Sequence, residues 1–138
     1  MAITKNGARQ DILVAELTVT YDDPTSDAAV AVPLIDLPAN AVVVGGMVVV
    51  DTVFNSTTSD VLDLGDGADD DRYTASQINL QALGMTALTI TGYKYTAGDT
   101  VDMEWTAGST GTATTGQFRV ILHYVIEGRA LENQPVRQ

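Results

Sequence analysis

Met47-Val-Val-Val-Asp-Thr-Val-Phe-Asn-Ser-Thr-Thr-Ser-Asp-Val-Leu-Asp-Leu-Gly-Asp-Gly-Ala-Asp-Asp-Asp-Arg-Tyr73 is the stretch on which the fold turns. A β-branched apolar run, Met47 to Phe54, gives way to Asn55-Ser-Thr-Thr58, small polar residues that bond their own backbone. A second short alternating run follows at Val61 to Leu64. The pattern predicts two strands joined as a hairpin. Beyond them, Gly65 to Asp71 holds the densest charge in the chain.

The same two-residue period recurs on both sides. Between Ile12 and Tyr21, Leu13, Ala15, Leu17, Val19 and Tyr21 share one face, with Glu16, Thr18 and Thr20 opposite. Ala29 to Leu37 reads as a strand, and Pro33 inside it predicts an edge position or a bulge, because proline cannot donate to a ladder. Ala41 to Phe54 is a long strand broken by Gly45-Gly46, which predicts a bulge or bend where the strand passes between sheets. Tyr73 to Gly84 fits neither period, so a short helix or an irregular crossing is expected. Thr86 to Tyr95, Thr100 to Thr106 and Gln117 to Glu127 complete the strands, with Ala107 to Gly116 as a small-residue loop. About eight short strands separated by turn residues predict an all-β fold, an antiparallel jelly-roll-like β-sandwich. Its expected core includes Leu17, Val19, Val49, Leu62, Ile90, Trp105, Val120, Leu122 and Tyr124.

At 138 residues the chain predicts a single domain with its own core, residues 11–128, flanked by aperiodic arms at 1–10 and 129–138. There is no cysteine, which removes disulfides and thiolate metal sites. Eighteen acidic residues against seven basic ones repel phosphate backbones, so nucleic acid is not an expected partner. Apolar runs such as Ala41-Val-Val-Val44 fall far short of the roughly 20 residues of a spanning helix, and the N-terminus lacks a signal-like apolar stretch. No membrane partner is expected, and the chain reads as made in a cytoplasm. Four of the seven basic residues, Lys5, Arg9, Arg129 and Arg137, lie in the arms, which makes these the expected docking residues on another protein.

Little here suggests catalysis. The single histidine, His123, sits mid-strand and reads as a surface side chain of its sheet; no Gly-x-Ser-x-Gly elbow occurs. Asp66, Asp69, Asp70 and Asp71 supply the hard oxygens calcium prefers, but their spacing departs from an EF-hand, and a solvated acidic turn is the expectation. Trp105, the sole tryptophan, shares an apolar face with Val101 and Met103 and reads as core. Tyr93 and Tyr95 project from one face of their strand. No catalytic residue, metal or cofactor is predicted, and the chain reads as a non-enzyme.

Leu17-Thr-Val-Thr-Tyr-Asp-Asp23, Leu37-Pro-Ala-Asn-Ala-Val-Val-Val-Gly-Gly46, Val50 to Asp66, Asp69-Asp-Asp-Arg-Tyr73, Tyr95-Thr-Ala-Gly-Asp-Thr-Val101 and Phe118 to Ala130 together resemble small virion structural proteins of tailed bacteriophages, among them head decoration (cement) proteins. The resemblance implies a β-rich structural protein without a catalytic residue. It would sit as a homotrimer on the outer surface of the capsid, bind the major capsid protein, brace the lattice, and assemble in the host cytoplasm. The alternative is a tail or fibre β-module that recognises a cell-surface glycan through the Asp66 to Asp71 loop. A hydrolase of unusual type is a third reading.

Overall fold

The computed structural model describes residues 9–24 and 26–129. Eight strands form two four-stranded antiparallel sheets: β1 (Leu13–Thr20), β2 (Ala28–Leu37), β3 (Ala41–Thr52), β4 (Asp60–Gly65), β5 (Ile78–Asn79), β6 (Gly84–Ala87), β7 (Asp99–Ala107) and β8 (Gln117–Ile126). The first sheet has the order β1-β8-β3-β6 and the second β2-β7-β4-β5. Strand β1 pairs with β8, β2 with β7, β3 with β6 and β4 with β5. The chain is therefore one long hairpin rolled into two layers, the double-sheet jelly roll expected from the strand pattern. The tip of that rolled hairpin is the acidic loop between β4 and β5.

Alternation along the strands builds the core. Val101, Met103, Trp105 and Ala107 face inward from β7, and Phe118, Val120 and Leu122 from β8. Val19, Leu62, Trp105, Val120 and Leu122 are buried as expected, while Leu17 and Tyr124 are partly buried against the cluster. Two expected core members are not there. Strand β3 carries a bulge between Val43 and Gly45, which inverts its phase: Ala41 and Val43 point inward before it, Val48 and Val50 after it. Val49 consequently lies on the outer face. Ile90 is 43% exposed, because regular pairing ends at Ala87 and Leu88 takes the buried place. The bulge at the glycine pair was expected, but β3 stays within one sheet throughout. Pro33 lies on edge strand β2 beside a register shift, as its chemistry requires. Residues 73–84 take the irregular crossing, with the two-residue β5 inside it and Gly84 opening β6 at its end.

The larger correction concerns Asn55 to Thr58. Strands β3 and β4 are not hairpin partners; they belong to opposite sheets, and this turn crosses between layers. The cause is Phe54. Its ring is buried between the sheets, edge-on to Trp105 at 5.0 Å and tilted on Phe118 at 5.9 Å. Its backbone N–H donates to Leu80 O at 3.0 Å. Gly116, at φ 146°, lets the opposing chain pass over this ring: a Cβ there would come within 2.5 Å of it. Asp60 anchors the far end of the turn. Fully buried, it accepts from Ser56 N–H at 2.9 Å, Gln81 Nε2 at 2.8 Å and the Trp105 indole at 2.9 Å. Trp105 is thus core, with its polar edge satisfied.

Candidate functional site

The loop from Asp66 to Gln77 folds back on the end of β4. Gly65 permits this, since a Cβ at that position would lie 2.0 Å from Asp69 O. Asp66, only 4% exposed, turns inward rather than to solvent. Its carboxylate accepts from the backbone N–H groups of Ala68 and Asp69, each at 3.0 Å, from the Tyr95 hydroxyl at 2.8 Å, and from the Arg72 guanidinium through Nε and Nη2. Tyr95 in turn shares a 2.6 Å hydroxyl–hydroxyl bond with Tyr73. Burial pushes the Asp66 carboxyl up, but the bonds from Arg72, Tyr95 and Ala68 outweigh it and hold the group below its ordinary range. Burial likewise drives both tyrosine hydroxyls upward, so both stay protonated at neutral pH. Arg72 also stacks 3.7 Å over the Tyr93 ring, which is edge-on to Tyr95 at 5.0 Å.

This arrangement separates the four candidate calcium ligands. Asp66 is committed to Arg72, whereas Asp69, Asp70 and Asp71 bring carboxylate oxygens within 4.8 Å of one another on the outside. The hydrogen bond Asp71 shares with Asp69, followed by burial and the neighbouring carboxylates, pushes its carboxyl up. Asp63 is occupied by Thr74 Oγ1 and Gln77 Nε2 at 3.2 and 2.8 Å. Replacing Asp69, Asp70 and Asp71 with asparagine is expected to leave the melting temperature nearly unchanged, because exposed like charges contribute little. A calcium-dependent rise of many degrees, lost in the triple variant, would make the loop a cation site instead. The sequence pattern drew attention to the aspartates and to Tyr95 only as a same-face neighbour of Tyr93, whereas Tyr95 is buried and Tyr93 exposed, and it missed Arg72 and Tyr73. The signal was a single basic residue embedded in the acidic run.

The two sheet faces differ in chemistry. On the second sheet, Asp36, Asp63, Asp102 and Glu104 share the outer face, by register with one another or with Thr100, whose hydroxyl donates to Asp102 at 2.6 Å. Burial, and then the charges of Asp70, Asp63 and Asp102, push the Glu104 carboxyl up. The outer face of the first sheet carries Val14, Met47, Val49, Met85 and Ile121, with Arg119 held by Asp51 at 2.8 Å. His123 lies on this same face, paired with Val14 and Gly45. Apart from Arg72, the described basic residues all belong to this sheet or its ends: Lys94 bridges Val42 and reaches Glu127 at 3.0 Å. Arg9 and Arg129 converge at one corner, where Gln10 Nε2 donates to Ile126 O at 2.6 Å and Arg129 O at 3.2 Å. Lys5 and Arg137 lie outside the described residues.

No family model and no curated protein matches the chain. Solved structures share its fold over nearly its whole length. A chain of the Cyanophage Pam1 capsid asymmetric unit is 23% identical with a TM-score of 0.63, covering 91% of this chain and 92% of that one. A chain of the capsid of Ralstonia phage GP4 is 20% identical with a TM-score of 0.66, over 94% and 92%. One from the acidic stable capsid structure of Helicobacter pylori bacteriophage KHP30 is 15% identical with a TM-score of 0.54, over 82% and 93%. The jelly roll found here is a fold that chains in three phage capsid structures also adopt.

Proposed function

We propose that this chain is a structural, non-enzymatic component of a tailed-bacteriophage head: a decoration (cement) protein. In this reading it binds the outer surface of the major capsid lattice as a homotrimer and stabilises the shell. The observation that carries the reading is the whole-length likeness to chains from phage capsid structures. The distribution of charge agrees with it. An acidic sheet face is poorly suited to packaged DNA and well suited to an outer surface, while the basic corner at Arg9 and Arg129 would suit docking on a partner. The arms, residues 1–10 and 129–138, would do the docking, on the capsid lattice or on a neighbouring copy, through Lys5, Arg9, Arg129 and Arg137.

Purified particles should contain the chain in hundreds of copies, read as band intensity against the major capsid protein. A few copies per particle would point to a tail or fibre module instead. Deleting residues 1–10 or 129–138 is expected to lower occupancy on stripped particles while the isolated domain keeps its sheet spectrum. Particles without the protein should release DNA at lower temperature. Full occupancy by both deletion variants, or bare particles as heat-resistant as complete ones, would overturn the reading.

A further inference from the structure

Of the four edge strands, three are short or interrupted. Strand β2 carries Pro33 and two register shifts, β5 has two residues, and β6 has four. Strand β1 is different: its eight residues pair with β8 without a break, from Leu13↔Tyr124 to Thr20↔Gln117, and it holds no proline, glycine or lysine. An unblunted edge of this length is a template for another strand. Beside it the sandwich is open. Between β1 and β2 lies a cleft of about 270 Å³ lined by the apolar side chains of Leu17, Val19, Val32, Leu34 and Met103, with Asp23 also in its wall.

We infer that residues 1–8 of a second copy of this chain add to the outer edge of β1 and cover this cleft. The segment, Met1-Ala-Ile-Thr-Lys-Asn-Gly-Ala8, has as many residues as β1 and contains no proline and no acidic residue. As a strand it would put Met1, Ile3 and Lys5 on one face, two apolar side chains for the cleft and one cation for Asp23. The edge it would join is flanked by Asp11, Glu16, Asp22 and Asp23, so the charges are complementary.

The same chain's own segment would not reach Leu17 and Val19 by a tight reversal. Gln10 is held against β8, donating to Ile126 O at 2.6 Å and accepting from Ile126 N at 2.9 Å, so any reversal must precede it. After a two-residue turn at 7 and 8, residues 3–6 would lie beside 9–12, and only Ala2 and Met1 would come level with Leu13 and Val14. Leu17 and Val19 lie beyond them. This inference rests on the self-association in the proposed function and not on capsid binding.

The natural chain has no cysteine, so paired substitutions report the contact directly. Ile3→Cys, Thr4→Cys and Lys5→Cys, each combined with Glu16→Cys or Thr18→Cys, sample the register that a disulfide requires. On oxidation at least one pair should give reductant-sensitive multimers of the 14.6 kDa chain, whereas the same arm cysteines combined with Asp70→Cys should not. Deleting residues 1–8 should shift the purified protein from multimer to single-chain mass with its sheet spectrum intact. A monomeric full-length protein, a multimer indifferent to the deletion, or pairs that close only within one chain would each overturn the inference. Occupancy on stripped particles, measured separately, reports on the cement reading, so either can fail without the other.

Discussion

Replacing Asp66 with alanine is expected to cost about 3–5 kcal/mol, the range for breaking a buried ion pair by removing one partner. For a chain of this size that is a fall of roughly 10–15 °C in melting temperature. The variant strands a guanidinium whose side chain is only 12% exposed and whose remaining carboxylate, Asp69, stands 3.7 Å away. It also strands the backbone N–H of Ala68 and leaves the Tyr95 hydroxyl with Tyr73 alone and the Asp69 N–H with the Asp66 carbonyl alone, loosening the bonds that fasten the tip of the rolled hairpin to the core. Asp66→Asn should lose less, since a carbonyl oxygen still accepts from the backbone. Thermal melts of the two variants beside wild type check the order; an alanine variant within 1 °C of wild type would dissolve the network as a source of stability.

The same carboxylate sets a pH dependence. Its folded pKa lies below the unfolded value of about 3.9, so its stabilisation is complete above that value and is lost as pH falls through the folded pKa. Asp71 and Glu104 act in the opposite sense. Their folded values are raised, that of Glu104 chiefly by burial and that of Asp71 by the hydrogen bond it shares with Asp69, so protonating them as pH drops from neutral favours the folded state. The protein should therefore be slightly more stable in mild acid than at pH 7 and weaken below pH 4, as a pH series of melts would register. Asp66→Asn should flatten the acid limb and leave the mild-acid gain in place.

These groups also mark where the sequence was readable. Strand periods at 13–20, 99–107 and 117–126 follow directly from alternation, because each of those strands has one wet face and one dry face. Val49 could not be placed the same way: a run of valines is apolar on both faces, and only the bulge at Val44 decides which of them turn inward. Asp66 resists a sequence reading for a related reason. The aspartates that follow it in the chain lie on the outside of the loop, while its partners Arg72 and Tyr95 reach it only once the loop has folded back on Gly65. The turn at Asn55 to Thr58 has suitable hairpin chemistry, and local chemistry alone does not say that the next strand belongs to the other sheet.

Phe54 carries that decision, and truncating it to alanine is expected to cost about 3–5 kcal/mol. The ring is 2% exposed and touches aromatic partners from both layers, Trp105 of β7 and Phe118 of β8, so its loss empties space at the point where the chain crosses between sheets. Were Asn55 to Thr58 an ordinary hairpin turn, Phe54 would be one strand residue among several and its loss correspondingly mild. Gly116 gives a second handle on the same contact. A methyl group there meets the Phe54 ring and also faces an unfavourable positive φ, two separate costs. In a double-mutant cycle, Gly116→Ala should therefore be clearly less damaging in the Phe54→Ala background than in wild type, because the clash disappears while the backbone strain remains. Denaturant midpoints of the four proteins measure this coupling. Strict additivity would mean that the ring and the glycine are independent, and that something other than Phe54 draws the chain across the sandwich.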